Sequence, residues 1–98
     1  MNINKIKSGE GLIIILEGRL DTSTTPQLDE VLNAELEGIS ELTFDFSGLE
    51  YISSAGLRAL LTAQKTMNRQ GRMVVKNVSE EVNEVFEITG FSDVLTIE

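Results

Sequence analysis

At 98 residues the chain has the length of one compact domain and leaves no room for a second core. Its apolar fraction of 41% and charged fraction of 24% are those of a globular chain, not a disordered one. A net charge of −8 repels nucleic acid and anionic lipid, and the absence of Cys and His excludes disulfides, thiolate metal sites and a Ser-His-Asp triad.

Ile3 to Lys7 alternates apolar and polar residues, and Ser8-Gly9-Glu10-Gly11 supplies a turn before the run Leu12–Leu16. This pattern predicts a hairpin with an exposed first strand and a central second strand ending at Gly18. The Leu12–Leu16 run is far short of the roughly 20 residues that cross a bilayer. With no charged-then-apolar leader at the start, a cytoplasmic location without membrane insertion is expected. In the polar stretch Asp21–Pro26, Thr24 is placed to cap a helix, with Gln27 at the capping-box spacing and Pro26 in the first turn. Leu28, Val31, Leu32 and Leu36 then mark one helical face, and Gly38 stops the helix.

Leu42, Phe44 and Phe46 alternate with polar residues as a strand, and Ser47 to Ser54 follows as a loop. A second helical face runs through Leu57, Leu60, Leu61, Gln64 and Met67 to Gly71, a glycine suited to a left-handed cap. Met73-Val74-Val75 is a third core strand. Ser79 caps a last helix with Glu80 and Glu81 in its first turn and Val82, Val85, Phe86 and Thr89 facing inward. Gly90 ends it, Phe91 packs behind that glycine, and Val94, Leu95 and Ile97 form a short terminal strand. The order β-β-α-β-α-β-α with short connections calls for an α/β fold: a hairpin at one edge of a mixed sheet, then parallel strands joined by right-handed helical crossovers.

Partners of such sheets meet the carboxyl ends of the parallel strands, which places Ser53 and Ser54 at an accessible helix start. The first N–H groups of a helix lack internal partners and carry partial positive charge, so a phosphate on Ser54 fits there without a Lys or Arg. Ser53 and Ser54 acting only as helix caps is the structural alternative.

The stretches Glu17-Gly18-Arg19-Leu20-Asp21, Phe44-Asp45-Phe46-Ser47-Gly48-Leu49, Tyr51-Ile52-Ser53-Ser54-Ala55-Gly56-Leu57 and Ile88-Thr89-Gly90-Phe91-Ser92 resemble, in order and across nearly the whole chain, the signatures of STAS-domain anti-sigma factor antagonists. The resemblance implies a STAS fold with a four- to five-stranded mixed sheet in a single domain, residues 1–98. It also implies a binding protein, not an enzyme, with no cofactor. The unmodified form binds an anti-sigma factor, a serine kinase of the histidine-kinase-like ATPase type, and frees a sigma factor for transcription. The kinase inactivates it by phosphorylating Ser54, two residues before the helix glycine Gly56, and a PP2C-type phosphatase restores it. Ser53 stands where many members carry Asp, and Ala55 where they carry Ser or Thr.

The resemblance puts the loop holding Asp21 beside Ser54, where Asp21 presents the serine to the kinase or instead closes an Asx turn near Ser23. Thr22, Ser23, Ser53, Leu57 and Arg58 are further candidate contacts with Asp21, Ser54 and Gly56, and Arg19 is an exposed cation in the same region. The competing reading keeps the fold and drops the switch: a STAS scaffold subunit of a signalling assembly or lipid-transport complex. Catalysis lacks support, because no Gly-x-x-x-x-Gly-Lys-Ser/Thr loop is present.

Overall fold

The computed structural model describes residues Met1–Glu98. The chain forms β1 (Asn2–Ser8), β2 (Gly11–Leu20), α1 (Thr25–Glu35), β3 (Glu41–Ile52), α2 (Ser54–Gln70), β4 (Arg72–Lys76) and α3 (Glu80–Thr89), closed by a 3-10 turn (Phe91–Asp93). The sheet order is β1-β2-β3-β4: β1 runs antiparallel to β2, and the other two pairings are parallel. The expected β-β-α-β-α-β-α order and edge hairpin are therefore present.

Alternation decides which face is covered. Leu12, Ile14 and Leu16 of β2 and Leu42, Phe44 and Phe46 of β3 are buried, whereas Ile13, between Leu12 and Ile14, and Glu17, after Leu16, are exposed. The helices pack their apolar stripes against that inner face, giving one cluster that joins Leu28 and Leu32 of α1, Leu60 and Met67 of α2, and Val82 and Phe86 of α3. Phe46 lies between Phe44 and Phe86, with ring centroids 5.8 and 6.4 Å apart. Each such ring contributes about 1.5–3 kcal/mol through burial.

Several local expectations are corrected. Strand β2 passes through Gly18 (φ 102°) to Leu20, because the glycine accommodates a register irregularity there instead of ending the strand. Strand β3 continues six residues beyond Phe46, and the expected loop from Ser47 is strand as far as Ile52. The Thr24 side chain makes no cap bond: it donates to the Arg19 carbonyl at 2.8 Å and accepts from Asp21 N–H at 2.9 Å. Gly71 adopts no left-handed conformation (φ 169°), and glycine is needed because a Cβ would overlap the Ser40 carbonyl. Thr89 is exposed. The terminal segment forms a single parallel bridge, Val75 to Ile97, in place of a strand, so the sheet has four strands. The Ser79 cap, which accepts from Val82 N–H at 3.2 Å, and the left-handed Gly90 (φ 81°) are as expected.

Candidate functional site at the carboxyl end of the sheet

Because β2 and β3 are parallel, both end at the same edge of the sheet, and the segments that leave them lie side by side. Ser53 N–H donates to the Leu20 carbonyl at 2.9 Å, tying the start of α2 to the loop that enters α1. Ser53 is the N-cap of α2, and its hydroxyl accepts from Gly56 N–H at 3.4 Å. Ser54 is the first helical residue and is exposed. Capping and accessibility are thus divided between the two serines: Ser53 serves the helix, and Ser54 is exposed in its first turn.

The loop Asp21–Thr24 is held by its own side chains. Asp21 Oδ1 accepts from Ser23 N–H at 3.0 Å, Ser23 Oγ at 2.8 Å and Thr24 N–H at 3.1 Å. Thr25 Oγ1 closes the turn by donating to the Asp21 carbonyl at 2.6 Å. Asp21 therefore forms the Asx turn named as the structural alternative. Its carboxyl is held below the usual carboxylate range, chiefly by the Ser23 hydroxyl; burial opposes this as the next largest effect, and the Thr24 and Ser23 N–H groups add smaller lowering contributions.

Arg19 leaves the end of β2 with its guanidinium 4.2 Å from the centre of the Tyr51 ring and its Nε 3.8 Å from Asp21 Oδ2. Register places Arg19 opposite Tyr51, so the stack bridges the two strand ends. Between the starts of α1 and α2 runs a groove lined by Thr22, Thr25, Asp29, Ala55, Arg58 and Thr62.

Of the candidate contacts, Thr22, Ser23, Ser54 and Arg58 are exposed at this end of the molecule, and Asp21 and Ser53 are partly covered. Gly56 and Leu57 are instead buried: Gly56 meets Leu20 and Ile52, and Leu57 joins the core. The helical phase explains this, since residues two and three positions after Ser54 point to the sheet. Sequence reasoning passed over Tyr51, Thr25, Asp29 and Thr62. The i, i+4 pairs Thr25/Asp29 and Arg58/Thr62 were the available signal for two facing polar stripes.

Similarity to known proteins bears on the family and the fold. The STAS domain family model matches residues 2–98. BtrV of Bordetella bronchiseptica, provisionally assigned as an anti-sigma factor antagonist, is 36% identical over 88 residues, covering 88% of this chain and 76% of that protein. The anti-sigma-B factor antagonist of Listeria monocytogenes is 33% identical over 103 residues, covering 99% of this chain and 90% of its own. Among solved structures, the unphosphorylated anti-sigma factor antagonist SpoIIAA superposes with a TM-score of 0.78 at 19% identity, over 99% of this chain and 87% of that one. SpoIIAA of Bacillus in its phosphorylated form gives 0.77 at 19% identity, over 99% and 91%. At these identities the superpositions speak for the fold.

Proposed function

The chain belongs to the STAS-domain family of anti-sigma factor antagonists, regulatory binding proteins that are not enzymes, and from that premise we propose that it is a phosphate-controlled switch acting through Ser54. In this reading residues 1–98 work as one domain in the cytoplasm. The unmodified form binds an anti-sigma factor that is a serine kinase of the histidine-kinase-like ATPase type, and so releases a sigma factor. Phosphorylation of Ser54 ends that binding, and a PP2C-type phosphatase resets it.

The observation that carries the proposal is the exposure of Ser54 at the first position of α2, next to the self-braced loop Asp21–Thr24 and away from the capping role that Ser53 fills. The partner would cover this end of the sheet, meeting Asp21, Thr22, Ser23 and Arg58 around Ser54.

Charge supplies the switching energy. A phosphate adds about −1.5 to −2 at neutral pH, and a helix start returns only about 0.3–1 kcal/mol. Against a partner carboxylate about 4 Å away, each unit pair costs about 4 kcal/mol at an effective dielectric near 20, and about 1.4 kcal/mol is a tenfold change in affinity. Repulsion dominates.

Titration of purified wild type, Ser54→Ala and Ser54→Asp against each candidate anti-sigma kinase of the source organism tests the proposal. Wild type and Ser54→Ala should bind alike, and Ser54→Asp should bind at least tenfold more weakly. Phosphate transferred from ATP should appear on Ser54 and be absent from Ser54→Ala. Equal affinities in all three proteins would defeat the switch and favour the scaffold reading.

A further inference from the structure

Resting on the assignment of Ser54 as the phosphorylated residue, we infer that Arg58 is an internal clamp that captures the attached phosphate and is thereby withdrawn from the partner. The observation is a cation left unpaired in the unmodified protein. Ion pairs join Lys5 to Glu35, Arg19 to Asp21 and Arg72 to Glu98, and none uses Arg58. Arg58 is exposed and stands four residues after Ser54 on the same helix.

Spacing and direction both favour the contact. Residues i and i+4 are neighbours on a helix face, about 5–6 Å apart at Cβ, and an acid placed N-terminal to a base is the better order. Helical side chains lean toward the N-terminus, so the long Arg58 side chain has the reach and direction to meet a phosphate on Ser54. A guanidinium offers two parallel N–H donors to phosphate oxygens, a match that an ammonium lacks.

The surrounding charges leave Arg58 available. Asp29 faces it across the groove between α1 and α2, and carries one negative charge against the greater charge of the phosphate. Arg19, also at this end of the sheet, is already engaged by Tyr51 and Asp21. The first turn of α2 contains no acidic residue to repel the new group.

The covalent step is ordinary phosphoryl transfer. The bond from the γ-phosphorus to the bridging oxygen of a nucleoside triphosphate breaks, a bond from Ser54 Oγ to that phosphorus forms, the hydroxyl proton passes to a base of the kinase, and the nucleoside diphosphate leaves. Capture by Arg58 then adds only hydrogen bonds and charge pairing. The phosphorylated protein both gains a repulsive group and loses a cation that an acidic partner surface would use, so one modification acts twice.

The test uses the full chain with phosphoserine installed at position 54 and follows its phosphorus resonance through a pH titration. A neighbouring guanidinium favours the dianion, so the second phosphate pKa, ordinarily about 6, should lie roughly half a unit lower with Arg58 present than in Arg58→Gln. Arg58→Lys should fall between the two. Arg58 is exposed, so these variants leave the core untouched. Identical titrations in all three proteins would overturn the clamp. That result would be distinguishable from failure of the switch, which is read in the unphosphorylated Ser54→Asp protein as unchanged partner affinity.

Discussion

Replacing Gly56 with Ala probes how closely the first turn of α2 approaches the sheet. A Cβ at this position would lie 2.8 Å from Leu20 Cγ, 2.9 Å from Ile52 Cγ1 and 3.0 Å from Leu20 Cδ2. Non-bonded carbons settle about 3.5–4.0 Å apart, so the helix or both side chains must yield by more than about half an ångström. Leu20 and Ile52 are 0% and 3% exposed and have no space to retreat into. Overpacking of this kind costs about 1–3 kcal/mol, and the higher helix propensity of Ala offsets at most about 1 kcal/mol. The expected net loss is about 1–2 kcal/mol, a Tm lower by roughly 4–15 °C for a domain of this size. Thermal and urea unfolding of wild type, Gly56→Ala, Leu20→Ala and the double variant measures it. Leu20→Ala alone opens a cavity at about 2–5 kcal/mol, and the new methyl at position 56 can occupy part of that cavity. The double variant should therefore lose less than the sum by at least about 0.5 kcal/mol. Strict additivity, or a Gly56→Ala protein as stable as wild type, would refute the close approach on which the placement of Ser54 depends.

Two further outcomes follow from local geometry. Ser79→Ala should lower stability by about 1 kcal/mol, and Ser53→Ala by less, because the Ser53 cap bond of 3.4 Å is longer than the 3.2 Å bond of Ser79; urea midpoints in the opposite order would contradict this. The Asp45 carboxyl is held below the usual range, first by Ser47 N–H and then by the Asn77 side-chain amide. A lowered folded-state pKa means that the stabilisation is present above the unfolded value of about 3.9 and is lost as pH falls through the folded one. Wild type should therefore be more stable than Asp45→Asn near pH 7, with the gap closing below about pH 4. Melting curves across that range decide it, and a gap independent of pH would show that ionisation is not its source.

The architecture was legible where one residue pattern had one physical meaning. The apolar stripes of the helices, the Ser79 cap and the left-handed Gly90 each pointed to the element that formed. Strand β3 was misread because its inward residues keep a period of two only as far as Phe46. They then fall at Leu49 and Ile52, three apart, because two register shifts against β2 each insert a residue. An alternation rule registers such a strand as ending. Thr24 was misread because its hydroxyl accepts from the Asp21 N–H instead of a helix N–H, and Gly71 because the approach of Ser40 cannot be seen along the chain. At the site, Ser54 was legible from its place before a helical run. The burial of Gly56 and Leu57 and the stacking of Tyr51 on Arg19 depend on how the two strand ends are aligned, which no local pattern encodes.

The uneven spacing of β3 also works as a vernier. A regularly alternating strand can slide two residues along its neighbour and still bury the same kind of side chain. Here a slip of two in one direction would turn Ser47 and Glu50 inward, and in the other Gly48 and Tyr51, so only one alignment keeps Leu42, Phe44, Phe46, Leu49 and Ile52 out of water together. The irregularities thus guard the chain against mispaired folds, and they fix how far β3 runs before it delivers Ser53 and Ser54.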